Sequence, residues 1–585
     1  MEAQQAAALP ATSSHANGTG NIPKHILAIS PVSATAPERS SRASSLPLNL
    51  IALIISYLDD LADIARVTRT SRLLYYMTLP QLYKNVILRS HSEIRYKDGR
   101  PEGFGGGSPF SMALNGLVTS NNAPLVQHFA MQGHWQEFGH DEFAQGRVPD
   151  NSMILNIVLR AAVDRMVKME SFSWELDSKP LKTIYQGLSL RPTLTSLTIR
   201  FPTNRSPRPT VMIPPIANLR AFKAMSIDPL CYPDDFSSLL LHSKKLKELR
   251  LHWSPRMRNE AEPSLSLYTY FGKCLAAKYR MPIEYLAFQN FFGLNDSELT
   301  EIWDTATLES TTFIDTFGGL KGDPNTVFVD DTWKRLPSPS RFNIKVIRCN
   351  ELAIQHVQLL SQYSGLERMY FINAKREKGV ASKANVFAEK DAVTTLGELS
   401  ETSTVKLDQR IAGKTAHPKI DGGLPDLGKE YLHVLTTHHG CSLEHLLLSD
   451  HWSLGEDEMA HLVRCCPNLT QLGLALDTSE HQVLRLLVPF LPKLIAIRIL
   501  DNGSLRKDLA VVYDERRMKS MSRDMWEMGR TSLKWIGIGD KIYQVGGDFQ
   551  AEDENGNLEW RREINAVGKG AVNDVEIWKL DALEI

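Results

Sequence analysis

The chain has 585 residues, with 66 Lys and Arg against 67 Asp and Glu for a net charge of −1. That balance argues against a general nucleic-acid binder and against a polybasic membrane binder, both of which need a surplus of positive charge. Hydrophobic residues at 43% and charged ones at 23% are an ordinary globular mixture, and six cysteines with no C-x-x-C pair argue against a disulfide scaffold or a zinc ribbon.

Residues 1–44 are rich in Ala, Ser, Thr and Pro and hold no aromatic residue, so a disordered leader is expected there. They lack a signal-peptide pattern, and no apolar run in the chain approaches the ~18 residues of a spanning helix. A cytoplasmic or nuclear protein is the expectation. Short helices are predicted from Leu46-Pro47 to about Ser90 (45–90 as one module), then a connecting segment over 91–165 that contains the glycine cluster Gly103 to Gly107.

From residue 166 the pattern apolar-x-x-apolar-x-apolar recurs. Clean copies begin at Leu194, Leu246, Ile283, Leu366, Leu443, Leu469, Leu494 and Leu533, and degenerate ones at Met169, Leu219, Leu308, Ile344 and Val572. Met169, Leu194 and Leu219 follow one another at steps of 25 residues, and Leu443, Leu469 and Leu494 at 26 and 25. Leucine-rich repeats run ~20–29 residues, so the period predicts strand, turn and helix units that bury their apolar faces only when stacked. Ser453-x-x-Glu456, Ser479-x-x-Gln482 and Asn295-x-x-Glu298 read as helix starts between copies. Two blocks of repeats are expected, 166–374 and 431–585. They are separated by a polar insertion at 375–430 whose only aromatic is Phe387, read as a disordered loop.

The segment Leu46-Pro47-Leu48-Asn49-Leu50-Ile51-Ala52-Leu53-Ile54-Ile55-Ser56-Tyr57-Leu58, with Leu61, Ile64, Val67 and Pro80-Gln81-Leu82-Tyr83 after it, resembles an F-box. Asn49 and Ser71 depart from that family, which favours Glu and an aromatic at those places. Leu462-Val463-Arg464-Cys465-Cys466-Pro467-Asn468-Leu469, with Leu472 and Leu474, is similar to the cysteine-containing repeat of many F-box proteins. The whole resembles a leucine-rich-repeat F-box protein of the filamentous-fungal kind. The resemblance implies an α/β fold, with a helical F-box followed by a horseshoe of repeats like that of ribonuclease inhibitor. It implies a non-catalytic substrate receptor of a ubiquitin ligase, bound through the Skp adaptor to a cullin, and holding an unknown target protein. It places Leu46, Pro47, Ile51, Ile54, Leu58 and Val67 at the adaptor. The alternative is a repeat scaffold with no part in ubiquitination.

Alternation along a strand puts the residues between the motif leucines on the other face of the sheet. Arg250, His252, Tyr285, Gln289, Arg368, Tyr370 and Trp535 are the target-binding candidates on that ground, since Tyr, Trp and Arg carry much interface energy. No catalytic, cofactor or metal site is expected. Ala412-Gly413-Lys414-Thr415 lacks the earlier glycine of a phosphate-binding loop, and His438, His439, Cys441 and His445 span a helix end and a strand, a poor zinc spacing. Arg516, Arg517, Lys519 and Arg523 alternate with acids and read as a solvated helix face.

Overall fold

The computed structural model describes residues 46–585 apart from 98, 104–107, 136, 140, 203–209, 229–235, 257–267, 292–298, 315–341, 351–353, 373–423, 449–451, 477–483, 486, 501–513, 530 and 553–555. The expected leader, the body of the expected insertion, the Ala412–Thr415 stretch and the helix starts at Asn295 and Ser479 lie outside those residues. The chain forms two units, Met1–Thr78 and Leu79–Ile585.

The first unit is built of short helices, Leu48–Ser56, Leu61–Val67 and the beginning of Arg72–Leu82. Each start has its own device. The Pro47 carbonyl accepts from Leu50 N (3.0 Å) and Ile51 N (3.2 Å), the Asp60 carboxylate from Ala62 N (2.9 Å), and the Ser71 hydroxyl from Leu74 N (3.1 Å).

The second unit is a mixed α/β structure around one large, almost wholly parallel sheet. Its strands are β1 (Asn85–Ser90), then, after a small hairpin of β2 (Tyr96–Lys97) and β3 (Arg100–Pro101), β4 (His128–Gly133), β5 (Ser171–Leu176), β6 (Ser196–Arg200), β7 (Ala221–Ile227) and β8 (Glu248–Trp253). They continue as β9 (Tyr285–Gln289), β10 (Ser310–Ile314), β11 (Val346–Cys349), β12 (Arg368–Phe371), β13 (His445–Leu447), β14 (Ser453–Leu454), β15 (Gln471–Leu476), β16 (Ala496–Ile499) and β17 (Trp535–Ile538). An antiparallel hairpin of β18 (Lys541–Glu552) and β19 (Leu558–Val567) closes one edge.

The register explains why the motif repeats. Val86, Phe129, Phe172, Leu197, Phe222, Leu249, Leu286, Thr311, Ile347, Met369, Leu446, Leu472, Ile497 and Ile536 sit side by side in one row across the parallel strands. Each stands at the middle position of its copy, and all but Thr311 are apolar. A slip of one residue anywhere would turn a whole strand inside out. Leu155, Leu159 and Val163 of the helix Asp150–Arg165 share a core with Phe129, Phe172 and Leu197, and Leu462 of the helix Glu456–Cys465 shares another with Leu446 and Leu472.

A polar column marks the same phase. Asn218 Nδ2 donates to Pro192 O (2.8 Å) one strand back, and its Oδ1 accepts from Lys245 Nζ (2.7 Å) one strand on. Asn468 does the same with Cys441 O (2.7 Å) and Lys493 (2.7 Å). Both asparagines directly precede the first leucine of a copy.

Several expectations are corrected. The stretch 91–165 contributes β4, and β1 lies inside 45–90, so the row of strands begins earlier than residue 166. Both copies have their first two apolar positions in variants (Tyr83, Val86; Val126, Phe129) that the leucine-weighted pattern passed over. The copy read at Val572 forms no strand: it ends the 3-10 turn Lys569–Val572 and runs into the helix Glu576–Lys579. Residues 424–430, assigned to the insertion, open the helix Leu424–Val434. Ser453 lies in β14, and the helix after it starts at Glu456, with Glu458 Oε2 accepting from Gly455 N (3.0 Å).

Candidate functional site

Two surfaces hold the residues singled out from the sequence. The first is the helical unit before residue 79. Of its apolar side chains Ile55 and Ile64 are buried, while Leu50, Leu53, Ile54 and Tyr57 are exposed, Ile54 at 57% and Tyr57 at 75%. Helical spacing cannot turn so many apolar residues to one side of so short a helix, so part of the surplus remains in water. Among the adaptor candidates Leu46, Pro47 and Ile54 are exposed, and Ile51, Leu58 and Val67 are half-buried.

The second surface is the face of the large sheet opposite the motif leucines. Over β12 to β17 this face is covered by the chain's own segment 572–585. Ile577 is fully buried in a cluster with Tyr370, Leu447, Ala475, Ala496 and Leu500. Farther along, Ile585 is buried with Ala287, Ile314 and Ile372. Trp578 lies over β17 at Gly537, where an added Cβ would come within 2.6 Å of its ring.

Side chains of the sheet hold the segment largely by its backbone carbonyls. Arg348 donates from Nε to Leu580 O (2.9 Å), from one terminal nitrogen to Glu584 O (2.7 Å), and from the other to Ala582 O. Arg498 donates to Ile577 O (2.8 Å) and to the Asp581 carboxylate (2.7 Å). Gln289 Nε2 donates to Leu583 O (2.7 Å), and Lys223 Nζ to Ile585 O. Gln471 Oε1 accepts from Ile577 N (3.1 Å), and Arg368 pairs with Glu576 (3.6 Å). Burial, with Arg250 nearby as a lesser cause, pushes the Arg348 guanidinium down to about 10.

The target-binding candidates therefore divide. Arg250 and Tyr285 remain exposed, and His252 is half-buried with its Nε2 3.3 Å from Asn290 Nδ2. Gln289 and Tyr370, expected to face outward, are buried, Tyr370 completely, because the segment 572–585 lies on them. Trp535 is half-buried against the Ile577 cluster. The Tyr370 hydroxyl lies 2.6 Å from Nδ1 of His445 and 3.5 Å from Glu576. Burial, then Arg368, pushes the His445 imidazole down to about 4, and burial raises the Tyr370 phenol.

Sequence reasoning missed the covering segment, although a signal exists. Several face-side positions of the later strands are small or apolar (Leu447, Gly473, Ala475, Ala496, Gly537) among arginines and His445, where the earlier strands carry Gln132, Ser173, Glu175, Thr198 and Lys223.

The histidines near β13 serve the fold. Leu366 N donates to His439 Nδ1 (3.2 Å), so Nε2 carries the proton and meets Leu360 O (3.0 Å), and burial pushes this imidazole down to about 4. Gly440 sits where a Cβ would come within 2.4 Å of Cys465 O. Cys466 is buried, which pushes its thiol up to about 12. Among the described residues no three His, Cys, Asp or Glu side chains come together as a metal-binding set, and no helix is long and apolar enough to cross a membrane. On the helix Asp514–Glu527, Arg523 pairs with Glu527 (3.0 Å).

No model of a protein family matches the chain, and no curated protein matches it.

Proposed function

We propose that this protein is a non-catalytic substrate-recognition subunit of an SCF-type ubiquitin ligase. In this reading the helical unit is an F-box that docks the Skp adaptor and through it a cullin, and the large sheet with its helices is a leucine-rich-repeat solenoid that holds a target protein. The observation that carries the reading is the set of apolar side chains left in water on the first unit, Leu46, Leu50, Leu53, Ile54 and Tyr57 among them. So many large apolar side chains exposed within a dozen residues favour an interaction site. The unbroken row from Val86 to Ile536 supports the solenoid.

Leu46 and Ile54 together test it. Burial of one such side chain is worth ~1.5–3 kcal/mol, so L46D with I54D weakens adaptor binding by on the order of a hundredfold or more. Both residues are exposed, so the melt of the variant should match the parent. Co-purification of the parent with adaptor and cullin, lost in the double variant, supports the assignment. Adaptor without cullin would point to a scaffold outside ubiquitination, and undiminished binding by the folded variant would remove the F-box assignment.

A further inference from the structure

The segment 572–585 lies on the sheet as a ligand would. Its backbone–backbone hydrogen bonds run within itself, Val575 N to Val572 O (2.9 Å), Trp578 N to Val575 O (3.0 Å) and Leu580 N to Glu576 O (2.8 Å). Its grip on the sheet is by side chains of the sheet on its carbonyls, by two acids (Glu576, Asp581) on arginines, and by two isoleucines at either end of the contact (Ile577, Ile585). Elements that belong to a sheet join it through the backbone ladder, and this segment adds no strand to it.

The approach to the segment is a single turn, Lys569–Val572, entered through Gly568. Gly568, Lys569, Gly570 and Ala571 are exposed, and a Cβ added to either glycine would touch nothing within 4 Å. The site beneath is also able to stand open. Its most buried charges, Arg348 and Arg498, sit on strands held by the ladder and by the motif leucines on the far side, and water can replace carbonyls as their partners.

We propose that the segment 572–585 is a displaceable internal ligand, and that this face of the sheet takes in its place a peptide of another chain with the same chemistry. The occupant is a short helical turn running into irregular, bent chain. It places an aliphatic side chain in the hollow of Leu447, Ala475 and Ala496, an acid one position before it at Arg368, and a second acid four positions after it at Arg498. Arg348 then gathers three alternate carbonyls of the bent part around one guanidinium. Held in cis, the segment competes at a local concentration that reaches the millimolar range for short linkers, so an outside peptide must match its chemistry or bind more of the surface to displace it. The exposed neighbours Arg250 and Tyr285 on β8 and β9 offer that additional surface.

This inference rests on the reading that the sheet holds the target, and it is independent of the adaptor. The full chain carrying a protease site inserted at Gly568–Gly570 tests it, with a fluorescent peptide of the sequence 572–585 as the probe. The uncleaved chain should bind the probe at least ~100-fold more weakly than the cleaved chain. R348E should weaken binding to the cleaved chain by ~10-fold or more, because it removes three charge-assisted hydrogen bonds and repels the acids. A scrambled peptide of the same composition should not compete. W578A in the chain, which loosens the internal segment from β17 at Gly537 and leaves the probe's own tryptophan intact, should raise probe binding to the uncleaved chain while its melt stays cooperative. Three results would overturn the proposal: a cleaved chain that loses its cooperative melt, one that keeps the original segment without exchange, or one that releases it and fails to bind the probe. Loss of adaptor binding elsewhere in the chain leaves all of these outcomes readable.

Discussion

The earlier and later strands of the sheet present the same inner face and opposite outer ones. In β5, β6 and β8 buried residues alternate with half-buried or exposed ones, whereas β13 and β16 are buried at every position. Parallel sheets are usually covered on both sides. Here an irregular segment of the same chain covers the later strands and reaches back through Leu583 and Ile585 to β10, β9 and Lys223 of β7, leaving the outer face of β5 and β6 without it. The difference lies in what the chain brings to the second face, since the row from Phe129 to Ile536 continues through both halves without a change of phase.

The largest effect should therefore be blind to the comparison. Leu197→Ala in the earlier half and Leu472→Ala in the later half both remove a fully buried side chain from the shared row, and each should cost ~2–5 kcal/mol in denaturant unfolding. A much smaller loss in one half would show that the two do not share a core of equal quality.

The next effect should separate them. Ala475→Glu places a carboxylate under Ile577 and should lower stability by ~1–3 kcal/mol, while Thr198→Glu on the open face of β6 should change it by less than ~0.5 kcal/mol. Equal effects would mean that the segment 572–585 does not seal the later half in solution.

Acid should act on the later half through His439 and His445. Their folded imidazoles titrate at about 4 against the ordinary 6.5, so between those values the unfolded chain takes up protons first. Stability is then complete above about pH 6.5 and falls as pH drops toward 4, by up to ~3 kcal/mol for each histidine. Melting curves for H445Q from pH 7.5 to 5 should be flatter than the parent's. His252 in the earlier half is also held down to about 4, by burial first and then by Lys223 and Arg200, so part of the slope should survive. A parent melt independent of pH over this range would contradict the buried, neutral state of these rings.

Much of the fold was legible because one requirement repeats. Every strand must turn its motif residues to the same side, and apolar residues at fixed spacing record that directly, down to copies as worn as Leu308, Thr311, Phe313. β1 and β4 escaped because aromatic and β-branched residues stand where leucine was sought, though Tyr83, Val86, Leu88 and Val126, Phe129, Met131 keep the spacing. The Asn218 and Asn468 column was written as clearly, one residue before Leu219 and Leu469, but an isolated asparagine has many uses until its neighbours one strand away are known.

The second face was legible only in outline. Alternation correctly turned Arg250, Tyr285 and Arg368 away from the motif leucines, since a strand's geometry decides sides locally. Whether a side is wet or covered depends on residues far along the chain: Arg348 meets Leu580, Ala582 and Glu584 across more than two hundred residues, and Lys223 meets Ile585 across 362. No periodicity records such a pairing, because the segment 572–585 has none. Local sequence thus determined the strands, their phase and their inner face, through spacing that every stacked unit must satisfy. Only the tertiary structure decided what covers the outer face and how far along it the cover reaches, because carbonyls, which any sequence supplies, are what Arg348 and Gln289 hold.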